Sequence, residues 1–288
     1  MLTTRIIGVL NILDGIVVQS VNFLKYLPIG NPSIAVTFLN KWGIDEIIIQ
    51  DIKATNNSEC YLYKSLPKYV VNCQVPIAAG GGIKNLKDIE NLIRNGADKV
   101  IINSAAHSNS KVINEGAKEF GDQAIIISID IKKINDKYVI FTNSGRKKIN
   151  LDLIDYIKMV DDFGVGEIIL NSIDRNGTKQ GYDLELLEIV QKNTSLPLIG
   201  NGGASRALHF NEAMFLNLSG LAAGNFFHYT EHSVITTKSY LKKYKNNIRS
   251  DTYANYLNSK FNIDERTLPP DDKTLENLKY NFIPEEKI

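Results

Sequence analysis

Asp130 interrupts a run that is otherwise almost wholly apolar, Ile125-Ile126-Ile127-Ser128-Ile129-Asp130-Ile131. A carboxylate in such a run is costly unless it is solvated, paired or put to use, so a functional role is the preferred reading. Asp51, Asn171, Asp174 and Asn201 also fall at or just past the ends of apolar, β-branched runs. In a (β/α)8 barrel the catalytic groups sit at the carboxyl ends of strands, which makes these five residues candidates for a substrate pocket. Two glycine-rich strand ends accompany them. Gly81-Gly82 with Asn103-Ser104 would form one phosphate cradle, and Gly202-Gly203 with Gly224-Asn225, helped by Asn176-Gly177, a second. Glycine lets backbone amides approach an anion unobstructed, and a helix N-terminus beyond it adds partial positive charge. The alternative is that these glycines only make tight turns. Two matching clusters at matching places weigh against it.

The elements that must position these groups are legible as runs. Ile6–Leu10, Glu46–Ile52, Pro76–Ala79, Lys99–Asn103, Ala124–Ile131, Glu167–Leu170, Pro197–Ile199 and Gly220–Ala223 read as eight strands buried on both faces. Amphipathic segments such as Asn85–Asn95 and Leu151–Phe163 separate them, with Asn85 and Asn150 as expected caps. Strand–helix alternation repeated eight times predicts a parallel sheet. An approximate half-length repeat favours closure: Ile77–Gly82 resembles Leu198–Gly203, and Ile6–Asp14 resembles Ile125–Lys133, roughly 120 residues on. The expected architecture is an α/β (β/α)8 TIM barrel over residues 1–250. Residues 251–288 are polar, with Pro269-Pro270 and Asp271-Asp272, and read as a C-terminal extension with enough Tyr, Phe and Leu to dock. Length alone also admits two average domains.

Arg5, Glu46, Lys99 and Glu167 stand near strand starts, at the opposite end from the candidate pocket. Two basic and two acidic groups could close a salt-bridged ring around the barrel axis, and the composition favours plain stabilisation of the barrel bottom. The 288 residues carry 33 basic and 32 acidic side chains, a net charge of +1, which argues against bulk binding to nucleic acid or anionic membrane. No apolar run approaches the roughly 20 residues needed to span a bilayer. Cys60 and Cys73 form neither a disulfide framework nor a metal site, and the simplest setting is reduced and cytoplasmic. The four histidines lack metal-ligand spacing. Neither a metal nor a cofactor is expected.

Arg5-Ile6-Ile7, Asp14-Gly15, Val21-Asn22-Phe23, Gly80-Gly81-Gly82-Ile83, Gly96-Ala97-Asp98-Lys99-Val100 and Ser172-Ile173-Asp174-Arg175-Asn176-Gly177-Thr178 occur in that order. Through them the chain, from Met1 to about Arg249, resembles the cyclase subunit of imidazole glycerol phosphate synthase, a histidine-biosynthesis barrel. The resemblance implies that a partner glutaminase docks at the amino-terminal face, where Asp98 and Gln123 lie. It implies that ammonia enters through the gate formed by Arg5, Glu46, Lys99 and Glu167, reversing the purely structural reading of that ring. It also implies a doubly phosphorylated ribonucleotide at the other face. Two aspartates serve that family as acid and base. The second matches Asp130; the first is Asn11 here, and a nearby family lysine is Gln19. An amide does not exchange a proton near neutral pH. Asn176 and Asn225 likewise depart from acidic and serine residues common in the cyclase.

A related subgroup, barrels associated with acetamidino modification of surface-polysaccharide sugars, departs at the same aspartate and is similar in the run Leu170-Asn171-Ser172. The leading expectation is therefore an ammonia-channelling barrel that takes nitrogen from a glutaminase and hands it to a sugar amidotransferase. The alternatives are a working cyclase using Asp130 with a compensating residue such as Asp51 or Asp174, and a non-catalytic phosphosugar-binding scaffold anchored by its extension.

Overall fold

The computed structural model describes residues 3–54, 60–230, 232–250, 252 and 254–277; the remainder of the expected extension, Asp251, Tyr253 and residues 278–288, lies outside the described residues. Eight parallel strands close into a barrel: β1 (Arg5–Leu13), β2 (Glu46–Asp51), β3 (Ile77–Gly80), β4 (Lys99–Ile102), β5 (Ile125–Ile134), β6 (Glu167–Ser172), β7 (Leu198–Asn201) and β8 (Gly220–Ala223). Each pairs with its sequence neighbours, and β8 pairs back onto β1 with Arg5 opposite Gly220. An α-helix follows each strand, from Pro32–Lys41 after β1 to Ser233–Lys243 after β8. All eight expected strands are present to within a few residues. The long apolar runs take this form because β-branched side chains suit a pleat buried on both faces.

The two-residue period of a strand sorts these side chains into two cores. Ile7, Val9, Ile48, Ala78, Ile101, Ile126, Ile169, Ile199 and Ala222 point inward and fill the barrel axis. Ile6, Leu10, Ile47, Ile49, Val100, Ile125, Ile127 and Ile168 point outward, onto the helices. The helix Leu86–Arg94 starts at Asn85, in a full capping box with Asp88. The next expected cap is corrected: the helix Leu153–Asp161 is capped by Asp152, whose carboxylate accepts from Ile154 N at 2.8 Å, and not by Asn150. Asp152 directly precedes Leu153, the first buried residue of the helix, so it reaches the free amides while Asn150, two residues earlier, stays outside.

Two antiparallel excursions were not expected. β1 runs through Asp14-Gly15 into the strands Ile16–Val21 and Lys25–Gly30, and β5 runs through Asn135-Asp136 into Lys137–Thr142 and Lys147–Lys148. Both turns carry two successive positive φ values, 51° and 79° in the first, 48° and 60° in the second, the geometry that matches the twist of a two-residue hairpin. They rise over the carboxyl face at equivalent places in the two halves. The last helix is locked to the barrel by Lys238, which is buried and reaches Asp45 and the Gly43 carbonyl, each at 2.6 Å. Asp45 in turn accepts from Ile6 N. Among the described residues no helix is long and apolar enough to cross a membrane.

Candidate functional site

At the amino-terminal mouth, the first residues of β1, β2, β4 and β6 form one ring. Arg5 contacts Glu46 at 2.5 Å and Glu167 at 2.8 Å; Lys99 contacts Glu46 at 3.2 Å and Glu167 at 2.9 Å. Each cation touches both anions, so four charges are mutually satisfied. Burial alone would lower the Arg5 pKa, but hydrogen bonding to Glu167 and the charges of Glu46 and Glu167 hold it above its ordinary value. Glu46 is 1% exposed, so its charge depends on these two partners. Asp98 and Gln123 lie exposed at the same end of the barrel. The Asp98 carboxylate accepts from Ile77 N at 2.8 Å.

The inward faces lead from this ring, through the apolar axis, to the carboxyl mouth. Counting by two along the same four strands, Arg5 leads to Asn11, Glu46 to Gln50, Lys99 to Asn103 and Glu167 to Asn171. The inward face of each of these four strands reaches a side-chain amide at the carboxyl mouth. β5 and β7 add Asp130 and Asn201, paired in register on either side of Asn171. Asn201 donates to the Asn171 carbonyl oxygen at 2.8 Å, and the Asn171 amide donates to Asp130 at 2.7 Å and to the Ser128 hydroxyl at 2.9 Å. Asp130 is buried. Loss of water pushes its pKa up to about 6, against the opposing hydrogen bonds from Asn171 and Asn103. The group is thereby poised to gain or lose a proton near neutrality. Asn11 is half-buried, and among the described residues its amide meets no hydrogen-bond partner.

Two cavities open on this floor. The first, about 330 Å³, is lined by Asn11, Gln50, Asp51, Asp130 and Asn171, with Gly82, Asn103 and Ser104 on one side and Tyr26 and Lys147 from the two excursions above. Burial raises the Asp51 pKa, opposed by the amides of Ala54 and Lys53 that donate to it. The second, about 1310 Å³, begins at Val9, Asn11 and Asn201 and passes Asn176, Gly177, Gly202, Gly203, Gly224 and Asn225. Gly203 has φ 91°, and a Cβ there would collide with the Gly181 carbonyl, so glycine is required for the loop itself and leaves its amides unshielded.

The structure brings together all the expected floor and cradle residues except Asp174. Its carboxylate lines neither cavity and accepts from Lys133 N at 2.6 Å, fastening the loop after β6 to β5. It lies two residues past the strand end, outside the inward register. The side chains of Asn176 and Asn225 are both engaged with Ser20: Ser20 Oγ donates to Asn176 at 2.8 Å, and Asn225 Nδ2 donates to the Ser20 carbonyl at 2.8 Å. They clip the first excursion to the second glycine cluster. Sequence reasoning missed Gln50, Ser128, Tyr26 and Lys147. The first two follow from strict alternation from Glu46 and Ile126; the others require the excursions. Among the described residues no cluster of three or more His, Cys, Asp or Glu could hold a metal.

The family model described as histidine biosynthesis protein matches residues 5–233. The chain is 40% identical over 246 residues to the imidazole glycerol phosphate synthase subunit HisF of Clostridium botulinum strain 657, covering 84% of this chain and 97% of that protein. It is 39% identical over 249 residues to the HisF subunit of Thermotoga sp. strain RQ2, covering 86% and 98%. To the Bacillus cereus subunit it is 41% identical over 244 residues, covering 84% and 97%. Ring, floor and cradles all lie on the matched barrel, and the chain belongs to the histidine biosynthesis protein family, among the HisF subunits of imidazole glycerol phosphate synthase.

Proposed function

We propose that this barrel is the synthase subunit of a glutamine-dependent amidotransferase of the imidazole glycerol phosphate synthase type. A glutaminase docks at the amino-terminal face beside Asp98 and Gln123. Ammonia passes the ring of Arg5, Glu46, Lys99 and Glu167 and travels up the axis to a phosphorylated substrate held between the two glycine cradles. The observation that carries this reading is the continuity of the inward faces: the strands that start in the charged ring end in the amide floor around Asp130. Nitrogen leaving the apolar axis as neutral ammonia would meet hydrogen-bond donors and acceptors and a carboxyl group poised near neutral pH. Asp130 is the proton-transfer residue, positioned by Asn171, which Asn201 orients in turn.

The test is reconstitution. The purified barrel, mixed with its glutaminase and given glutamine and the bisphosphorylated imidazole precursor, forms the imidazole product and stimulates glutamine hydrolysis. The barrel alone performs the reaction with ammonium. Absence of product with both nitrogen sources, from a folded and substrate-binding protein, overturns the cyclase reading.

Asn11 favours a second reading. An amide where the cyclase family has an acid–base aspartate removes one of two proton-transfer groups, a change that commonly lowers rate by about 10²–10⁴. In this reading the barrel keeps its ammonia entrance and supplies nitrogen to a sugar amidotransferase that makes an acetamidino group on a surface polysaccharide. Stimulation of glutamine hydrolysis without imidazole product, together with ammonia-dependent sugar amidation when the amidotransferase is added, would select it.

A further inference from the structure

The second cavity does not end at its glycine cradle. It continues past Gly202-Gly203 to Asp264, Glu265, Arg266 and Thr267, which belong to the C-terminal extension and lie beyond the residues matched by the family. These residues form a small hairpin. Asn262 N donates to the Arg266 carbonyl at 2.9 Å, the Asn262 side chain accepts from Asp264 N and Arg266 N, and Phe261 pairs with Thr267. Phe261 seats the hairpin on the barrel, edge-on to Tyr240 with Lys243 Nζ 4.3 Å from its ring centre.

Arg206 then clamps the tip. It lies three residues past Gly203 and is the N-cap residue of the helix Ala207–Met214. Its guanidinium donates to both Glu265 oxygens, at 2.9 and 2.5 Å, and to the Ile263 carbonyl at 2.9 Å. The Glu265 carboxylate is 6% exposed and the Arg206 side chain 42%, so the clamp is a bidentate pair covered on its carboxylate side and open to solvent on its guanidinium side. With Glu265 held by Arg206, the hairpin presents one cation, Arg266, and one carboxylate, Asp264, to a cavity that Lys179 also lines, and among the described residues Arg266 pairs with no carboxylate.

We propose that this hairpin is a ligand-contacting wall of the second cavity. Arg206 and Glu265 are its positioning residues and Arg266 its anion-contacting residue, fitting the cavity to a bridged phosphate, a diphosphate or phosphodiester, over a terminal monoester. The argument is one of reach and charge. One cavity carries both the glycine cradle and Arg266 on its lining, and in this proposal a terminal phosphate stays at the cradle. A phosphate bridged to a further anionic group extends to the wall, where Arg266 meets it. This rests on the reading of the second cavity as an anion site.

Inorganic phosphate and inorganic pyrophosphate, titrated calorimetrically into the full chain, test it, in a Ser104→Glu background that closes the first cavity to anions. Pyrophosphate binds at least about tenfold more tightly than phosphate, the scale of one charge-assisted contact. Arg266→Ala, an exposed substitution, abolishes that preference by lowering pyrophosphate affinity at least about tenfold more than phosphate affinity. Arg206→Glu and Glu265→Arg each abolish it singly, and the double reversal restores it, which lost folding would not do. Equal affinities, or a preference indifferent to Arg266→Ala, overturn the wall while leaving the anion site standing. If neither anion binds, both the wall and the anion site are overturned.

Discussion

At the amino-terminal mouth, β1, β2, β4 and β6 present two cations and two anions that satisfy one another. At the carboxyl mouth the same four inward faces present Asn11, Gln50, Asn103 and Asn171, with Asp130 set among them. One end of the cylinder cancels charge inside the protein. The other offers neutral groups that both donate and accept, around a single titratable carboxyl on the axis. The difference teaches that burial has opposite consequences at the two ends. Glu46 is buried and paired with two part-buried cations, Arg5 and Lys99. Asp130 is buried with amides, so burial strains its charged form. A buried ion with full partners resists change, whereas a buried carboxyl held by neutral donors is ready to titrate.

The comparison predicts opposite outcomes for removing charge at each end. Asp130→Asn lowers ammonia-dependent product formation by about 10²–10⁴; a loss below tenfold would mean that proton transfer lies elsewhere. Glu46→Ala leaves Arg5 and Lys99 sharing Glu167 alone, one positive charge in excess in a part-buried site, and costs about 3 kcal/mol of stability, the low end for a buried pair that loses one partner, read from urea unfolding. A cost under about 0.5 kcal/mol, the scale of an ordinary surface change, would show that the ring is solvated and not held closed.

A pH series sharpens the contrast. The folded pKa of Asp130 is raised from 3.8 to about 6. Its contribution therefore favours the fold fully below the unfolded value and is lost as pH rises through about 6. The two-unit difference amounts to about 3 kcal/mol. The wild type should lose that much relative to Asp130→Asn between about pH 4 and pH 7, and the variant should be the more stable at pH 7. Parallel pH profiles would remove the claim that the floor strains its carboxyl.

Much of this was legible before any coordinates. The strands were plain because their apolar runs are long, β-branched and broken by glycine-rich turns. The ring was legible as charges at strand starts, and both cradles as glycines at strand ends. What escaped was parity. Asp51 draws attention as an acid at the end of β2, yet Ile47 and Ile49 belong to the outer core and Ile48 to the axis, so Gln50 is the inward residue. The acid beyond it lines the first cavity from outside the inward register. Asp174 escaped for the related reason that a residue past the strand end has left the alternation. The excursions were signalled by Asp14-Gly15 and Asn135-Asp136, whose turn chemistry is local, but what those hairpins cover depends on the closed barrel.

The smallest stability change and the sharpest functional question meet at Asn11. It stands in the first half where Asp130 stands in the second, about 120 residues on, and lines both cavities. Being half-buried, Asn11→Asp puts its new charge partly in water, and the cost should stay near about 1 kcal/mol, the ordinary scale of a point substitution. If the remainder of the floor is cyclase machinery lacking one proton-transfer group, restoring the carboxylate raises imidazole formation at least about tenfold with ammonium as nitrogen donor. If the rate stays flat while unfolding and phosphate binding match the parent, a missing acid is not what limits the floor. Its amides then serve ammonia in transit, and the acceptor belongs to another protein.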